Sequence, residues 1–528
     1  MTLTQEQQSI CNYQFDKNVL IVNAFAGTGK TSTLVEFCKT KSKEENNPSM
    51  LYLCFNASIK REAETKFKDL KNITVKTTHG LAFPILFKKF KDTKRLGNLY
   101  VKHIISSKWF KQKTNKNKYA YAVIDLIRTF WRSEYTSLED FITSYESNEY
   151  YFLKKHSFIT YINLDGFEVP KEQYLDMNIV YENLRKLWDD YLNDTSKYPV
   201  EHDLYLKLYH ISNPKLDNKY DYILVDEAQD LSPVVIDLVM KQTNSKRIFV
   251  GDKHQQIYSW RGARNAIQYI QDNYDDVEVK YLTTSFRCPS HVAEIANRIL
   301  KLKGETKDFI GMKSILNDVD VRQPITYISR SNIAIISDII SNIKSTPDIE
   351  ELKYHVIGGL QGIGFDLFQD LEYLNTGEKY KIKSSFLKSF KDWDSFIHFV
   401  DDTKDKTMKK NIEQYFSYIK EFKSIANMIT IFNSALVNNQ KYAKRIYTTA
   451  HKSKGLEWDQ VSIMRDFKDL IEEDKNGNIS HVKSGEELNL LYVAFTRSKR
   501  YIEIPSTLDI DEEMLQRCIS YLNEQAQA

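Results

Sequence analysis

Val19-Leu20-Ile21-Val22-Asn23-Ala24-Phe25-Ala26-Gly27-Thr28-Gly29-Lys30-Thr31 is the stretch on which the fold turns. Its opening is short, apolar and β-branched, which predicts a buried strand over Val19 to Asn23. A glycine loop follows, and then a helical stretch from Ser32 to Lys39. The spacing Ala24-x4-Gly29-Lys30-Thr31 fits a phosphate-binding loop with alanine in the place of the first glycine. Gly27 and Gly29 let the backbone N–H groups of Ala26, Gly27, Thr28 and Gly29 wrap a polyphosphate, and the helix start adds partial positive charge. Lys30 would reach the outer phosphates, and the Thr31 hydroxyl would ligate Mg²⁺.

Such a loop needs an acidic partner on a neighbouring strand. Asp221 to Val225 reads as a second buried strand that ends in Asp226-Glu227-Ala228-Gln229-Asp230. This puts Asp226 at the carboxyl end of a strand, where ligands gather in open α/β sheets. Asp226 would hold Mg²⁺, and Glu227 would orient and deprotonate an attacking water.

The rest of the composition bounds the answer. The 528 residues amount to several domain-lengths. Lys+Arg number 74 and Asp+Glu 71, so any surface for a polyanion must be local. The five cysteines lack CxxC spacing, which argues against a zinc ribbon, an iron–sulfur cluster or a disulfide scaffold. Neither a membrane-spanning run nor a secretory leader is read, so an intracellular location is expected, cytoplasmic or nuclear.

Further segments, in order, carry a resemblance. They are Leu3-Thr4-Gln5-Glu6-Gln7-Gln8, Leu51 to Ser58, Thr77-Thr78-His79-Gly80, Val250 to Gly262, Thr284 to Cys288, Thr449 to Trp458 and Leu491 to Arg497. Together with the phosphate loop and acidic segment, they resemble the superfamily 1 DNA helicases of the UvrD/Rep/PcrA type. Within that family the nearest resemblance is to the F-box DNA helicase branch. It rests on His202 to Leu208, His254 to Tyr258, Gly358 to Gly362, His451 to Gly455 and Asn489 to Tyr492. The sequence begins at the glutamine motif, so neither an F-box nor a ubiquitin-ligase role is expected.

The resemblance implies roles. Gln7 would read the adenine edge of ATP, Phe286 would stack on the base, and Glu457 would sit near the ribose. Gln255 would sense the γ-phosphate, with Arg287 and Arg497 as its arginines. Asn56, Thr78, His79, Tyr258, Trp260 and Arg261 would contact nucleic acid, and His451 either nucleic acid or a domain interface. Phe286 stands where the family more often has tyrosine, which keeps the stacking face.

The implied fold is α/β, with two RecA-like P-loop NTPase domains built on parallel sheets. The first would take residues 1–95 and 205–285, the second 286–350 and 440–528. Mostly helical insertions, 96–204 and a small 351–439, would interrupt them. A clamp of Arg287 and Arg497 on a nucleotide held by Lys30 would make hydrolysis open and close the two domains. Aromatics such as Tyr258 and Trp260 would hold one base and let it pass, since stacking is sequence-tolerant. The basic stretch Lys108 to Tyr119, with Trp109 and Phe110, is either a further nucleic-acid surface or a solvated helical face. Gly358 to Gly364 reads as a flexible turn.

The expected activity is ATP-dependent translocation on single-stranded DNA and unwinding of tailed duplexes, by resemblance 3′ to 5′, in repair, recombination or replication. Alternatives are an RNA helicase, an ATP-gated DNA sensor, and a translocase that displaces proteins such as a recombinase filament.

Overall fold

The computed structural model describes residues 3–527, apart from 91–94, 147–148, 165–166, 194–196, 259–263, 314–317, 347 and 404. Two parallel sheets organise it. The strands of the first are β1 (Val19–Ala24), β2 (Met50–Cys54), β3 (Ile73–Thr77), β4 (Tyr222–Val225), β5 (Lys246–Gly251) and β6 (Val277–Leu282). Their order is β3-β2-β4-β5-β1-β6, and every pairing is parallel. Every residue of β1, β2 and β4 is buried, as expected for strands covered on both faces. Leu20 and Val22 pack under helices Gln5–Cys11 and Lys30–Glu44. Val19 and Ile21 face the opposite core, which runs on into the first insertion.

The second sheet uses β7 (Ile325–Ser329), β8 (Tyr354–Val356), β9 (Arg445–Thr449), β10 (Trp458–Ile463) and β11 (Ser498–Glu503), in the order β8-β9-β7-β10-β11, again all parallel. The α/β expectation with two parallel sheets therefore holds. The first insertion is helical, with long helices Lys116–Arg132 and Met177–Leu192, but it also carries an antiparallel hairpin, Phe158–Leu164 with Phe167–Gln173. Residues 354–356, read from sequence as part of the small insertion, form an edge strand of the second sheet. Three residues are too short for alternation to register.

Two other readings change. Phe110 is buried and Trp109 packs against the same core, its indole N–H donating to Asp190 at 2.8 Å. Phe110 is thus withdrawn from the surface, while Trp109 stays half-buried with its indole N–H engaged. The glycine-rich stretch folds as two successive helix starts, at Gly359 and Phe365. All five cysteines are buried free thiols. Among the described residues, no helix is long and apolar enough to cross a membrane.

Candidate nucleotide site and strand groove

The phosphate loop leaves β1 and enters helix Lys30–Glu44, with Gly27 at φ +70° and Gly29 at φ +79°. Both are left-handed, where a side chain is strained. The loop is also hemmed in. A Cβ on Gly27 would lie 2.5 Å from Arg287 Cβ and 2.7 Å from Ser285 Oγ. A Cβ on Gly29 would lie 3.2 Å from Gln7 Nε2 and 3.6 Å from the Phe286 ring. The Phe286 N–H donates to the Gly27 carbonyl at 2.8 Å. Gln7, the loop, Phe286 and Arg287 thus come together at one place. The Gln7 amide is oriented by its neighbours: its oxygen accepts from Thr4 N–H at 3.1 Å and its nitrogen donates to Thr33 Oγ1 at 3.1 Å. Thr28 is buried and braces the loop by donating to the Phe25 carbonyl at 2.9 Å.

Asp226 and Glu227 follow β4. Lys30 Nζ lies 3.4 Å from Glu227, which also accepts from Gln229 at 2.5 Å. Tyr52 donates to Asp226 at 2.5 Å. Glu227 sits at φ +53°, a conformation few side chains adopt. Burial works against its charge, but Lys30, Lys454 and Gln229 outweigh it and hold its carboxyl below the usual range. Asp226 is raised instead, by burial and then by the neighbouring Glu227 charge. Lys30, despite burial, is raised by Glu227, Asp252 and Asp226. Glu227 is therefore ionised at neutral pH, as a water-orienting base needs.

The donor set suits a hard cation: one buried carboxylate whose charge is opposed, and the Thr31 hydroxyl on the first helical turn. Among the described residues, no three His, Cys, Asp or Glu side chains gather as a protein-only metal cage. Asp226 and Thr31 are the residues that would hold a hard divalent cation here.

The second half of the chain closes the site. The Tyr492 hydroxyl accepts from Ala26 N–H at 3.0 Å and donates to Asp252 at 3.0 Å. Asp252 also accepts from Gln255 Nε2 at 2.7 Å, and the Gln255 oxygen lies 3.5 Å from Arg497 Nη2. Arg497 is 1% exposed; burial, and then Arg287, lower it to about 10. Its guanidinium also donates to the carbonyls of Val493 at 2.8 Å and Leu456 at 3.2 Å. Arg287 pairs with Glu457 at 2.6 Å.

The residues expected to contact nucleic acid come together only in part. Tyr258 stacks parallel to Phe55 with ring centres 6.0 Å apart, and its ring is 6.4 Å from that of His451. Lys454 Nζ lies 5.2 Å from the Tyr258 ring centre. Asn56 caps helix Ala57–Lys66, its oxygen accepting from Ser58 and Ile59 N–H at 2.9 Å, which leaves the amide NH₂ for other contacts. Thr78 is buried, and His79 is 3.4 Å from Asp203. Trp260 and Arg261 lie outside the described residues. Phe55, Tyr492 and Lys454 were missed as site residues. All three sit inside segments singled out by sequence, but their partners are far away in the chain: Tyr492 is 466 positions from Ala26.

Residues 3–277 match the UvrD/REP helicase N-terminal domain, and residues 365–507 match the UvrD-like helicase C-terminal domain. The chain belongs to the UvrD-like helicase family. It is 32% identical to F-box DNA helicase 1 of Gallus gallus, over 96% of this chain and 49% of that protein. It is 30% identical to F-box DNA helicase protein 1 of Schizosaccharomyces pombe, over 96% of this chain and 58% of that protein. A probable DNA helicase II homolog of Mycoplasma genitalium is 22% identical over 99% of this chain and 87% of its own length. The chain spans about half the length of the two F-box relatives. UvrD-like helicases use ATP.

Proposed function

We propose that the chain is an ATP-driven DNA motor that moves along single-stranded DNA, 3′ to 5′, and unwinds tailed duplexes. The observation that carries this reading is the two-sided wall of the phosphate loop, with Arg287 against Gly27 and Tyr492 bonded to Ala26. A nucleotide there touches both halves, so its hydrolysis changes how they fit together. Lys30 and the loop amides bind the phosphates, and Gln7 and Phe286 receive the base. Glu227 orients the water and accepts its proton. Arg287 and Arg497 stabilise charge on the γ-phosphate, a contribution of roughly 10³–10⁵ in turnover for such arginines. Mg²⁺, held by Asp226 and Thr31, would screen the phosphate charge. Phe55, Tyr258 and His451 offer ring faces to bases, with Asn56, Thr78, His79, Trp260 and Arg261 as further strand contacts.

The test is strand displacement on duplexes with 3′ or 5′ tails of DNA or RNA, with strand-stimulated ATP hydrolysis measured alongside. DNA-stimulated hydrolysis and displacement from a 3′ DNA tail are expected, both abolished in Lys30→Ala while strand binding persists. Stimulated hydrolysis without displacement would make it a sensor or a protein-displacing translocase. Stronger stimulation by RNA would assign the other polymer.

A further inference from the structure

Lys454 lies in the loop between helix Ala450–Ser453 and β10, in the second half of the chain. Its ammonium crosses to the first half and forms an ion pair with Asp230, the last residue of the acidic segment. It also donates to the main-chain oxygen of Gln255 at 2.7 Å, and it lies 5.2 Å from the Tyr258 ring centre. The pair is enclosed, with side-chain exposures of 10% for Lys454 and 1% for Asp230. The other Asp230 oxygen is buried without a hydrogen-bond partner. Burial pushes the Asp230 carboxyl up to about 6, and Lys454 is the cation that most opposes this.

These three partners belong to different tasks. Asp230 is continuous with Glu227, whose carbonyl accepts from Asp230 N–H at 3.0 Å. Gln255 faces Arg497. Tyr258 stacks beside Phe55, among the side chains proposed above to contact the strand. We infer that Lys454 is a positioning residue that couples the nucleotide site to the strand groove, by gripping the acidic segment, Gln255 and Tyr258 from the opposite half at once. Separation of the halves withdraws the ammonium from all three together. The same loop carries Glu457, the partner of Arg287, so the loop's seating answers to both ends of the site. This inference rests on the nucleotide and strand roles proposed above.

The experiment measures the affinity of a fluorescent single-stranded DNA oligonucleotide with and without a non-hydrolysable ATP analogue. The ratio of the two affinities is the coupling. For the unaltered chain a ratio of roughly fivefold or more, in either direction, is expected. In Lys454→Met the ratio should fall to within about twofold of one, and in Lys454→Arg it should return, a rescue that a mere packing role would not give. Lys454→Met leaves a buried carboxylate uncompensated, so the double variant with Asp230→Asn is measured as well; it should show the same lost ratio. A ratio preserved in the double variant would overturn the inference alone. An unaltered chain that binds neither analogue nor strand would overturn the proposed function, and the inference with it.

Discussion

Asp203 shows how one carboxylate can tie two elements together. It accepts from Arg132 at 2.6 Å and faces His79 at 3.4 Å, joining the first insertion to the segment after β3. Burial alone would raise its pKa, but His79 and Arg132 overcome this and bring it down to about 2. Such a depression stabilises the fold above the unfolded carboxylate range and is lost as pH falls toward 2. From 3.8 to about 2, it corresponds to about 2 kcal/mol at neutral pH. Asp203→Asn is therefore expected to be about 2 kcal/mol less stable at pH 7, with the gap narrowed by about half at pH 3. Denaturant unfolding at both pH values checks this, and an equal gap at each would count against it. Asp226 and Glu227 make the same point in the site. Chain neighbours of like chemistry are pushed in opposite directions, because Lys30 and Lys454 both favour the Glu227 charge, while Asp226 is buried beside that same charge.

At the scale of elements, strand, glycine loop and helix were legible because their signals are local. Burial of β1, the left-handed glycines and the helix start all follow from thirteen consecutive residues. What the loop leans on was not legible. Ser285 and Arg287 approach Gly27 only after more than two hundred residues have folded between them. Trp109 and Phe110 show the opposite limit: an aromatic among lysines reads as a stacking surface until the core claims it. Gly27 and Gly304 separate backbone strain from close approach. Both have positive φ, but a Cβ on Gly304 meets nothing within 4 Å. Gly304→Ala should cost about 1 kcal/mol of stability and leave hydrolysis near normal. Gly27→Ala should raise the KM for ATP at least about tenfold, because the loop must retreat from Arg287. Similar kinetics for the two variants would show that φ alone matters there.

At the scale of the whole molecule, the two halves are not independent bodies. Phe25 and Ala26, which belong to the phosphate loop, are packed in the core of the second half. The Phe25 ring is 5.7 Å from Phe309 and 5.9 Å from His254. Unfolding the second half would strip the loop of its support, so the parent chain should melt in one calorimetric transition. Phe25→Ala removes a fully buried ring, a loss of about 3–5 kcal/mol, and should split the melt into two transitions about 5 °C or more apart. A single transition merely shifted downward would mean that other contacts carry the union.

The buried thiols have a practical consequence for testing the proposed domain motion. Desolvation raises the thiols of Cys11 and Cys54 to about 11 and 12, and those of Cys38, Cys288 and Cys518 are raised too, so almost none is thiolate at neutral pH. One cysteine introduced on each half would then outcompete the native five for a maleimide dye. Energy transfer between two dyes could follow opening and closing in real time, without first rebuilding the interior.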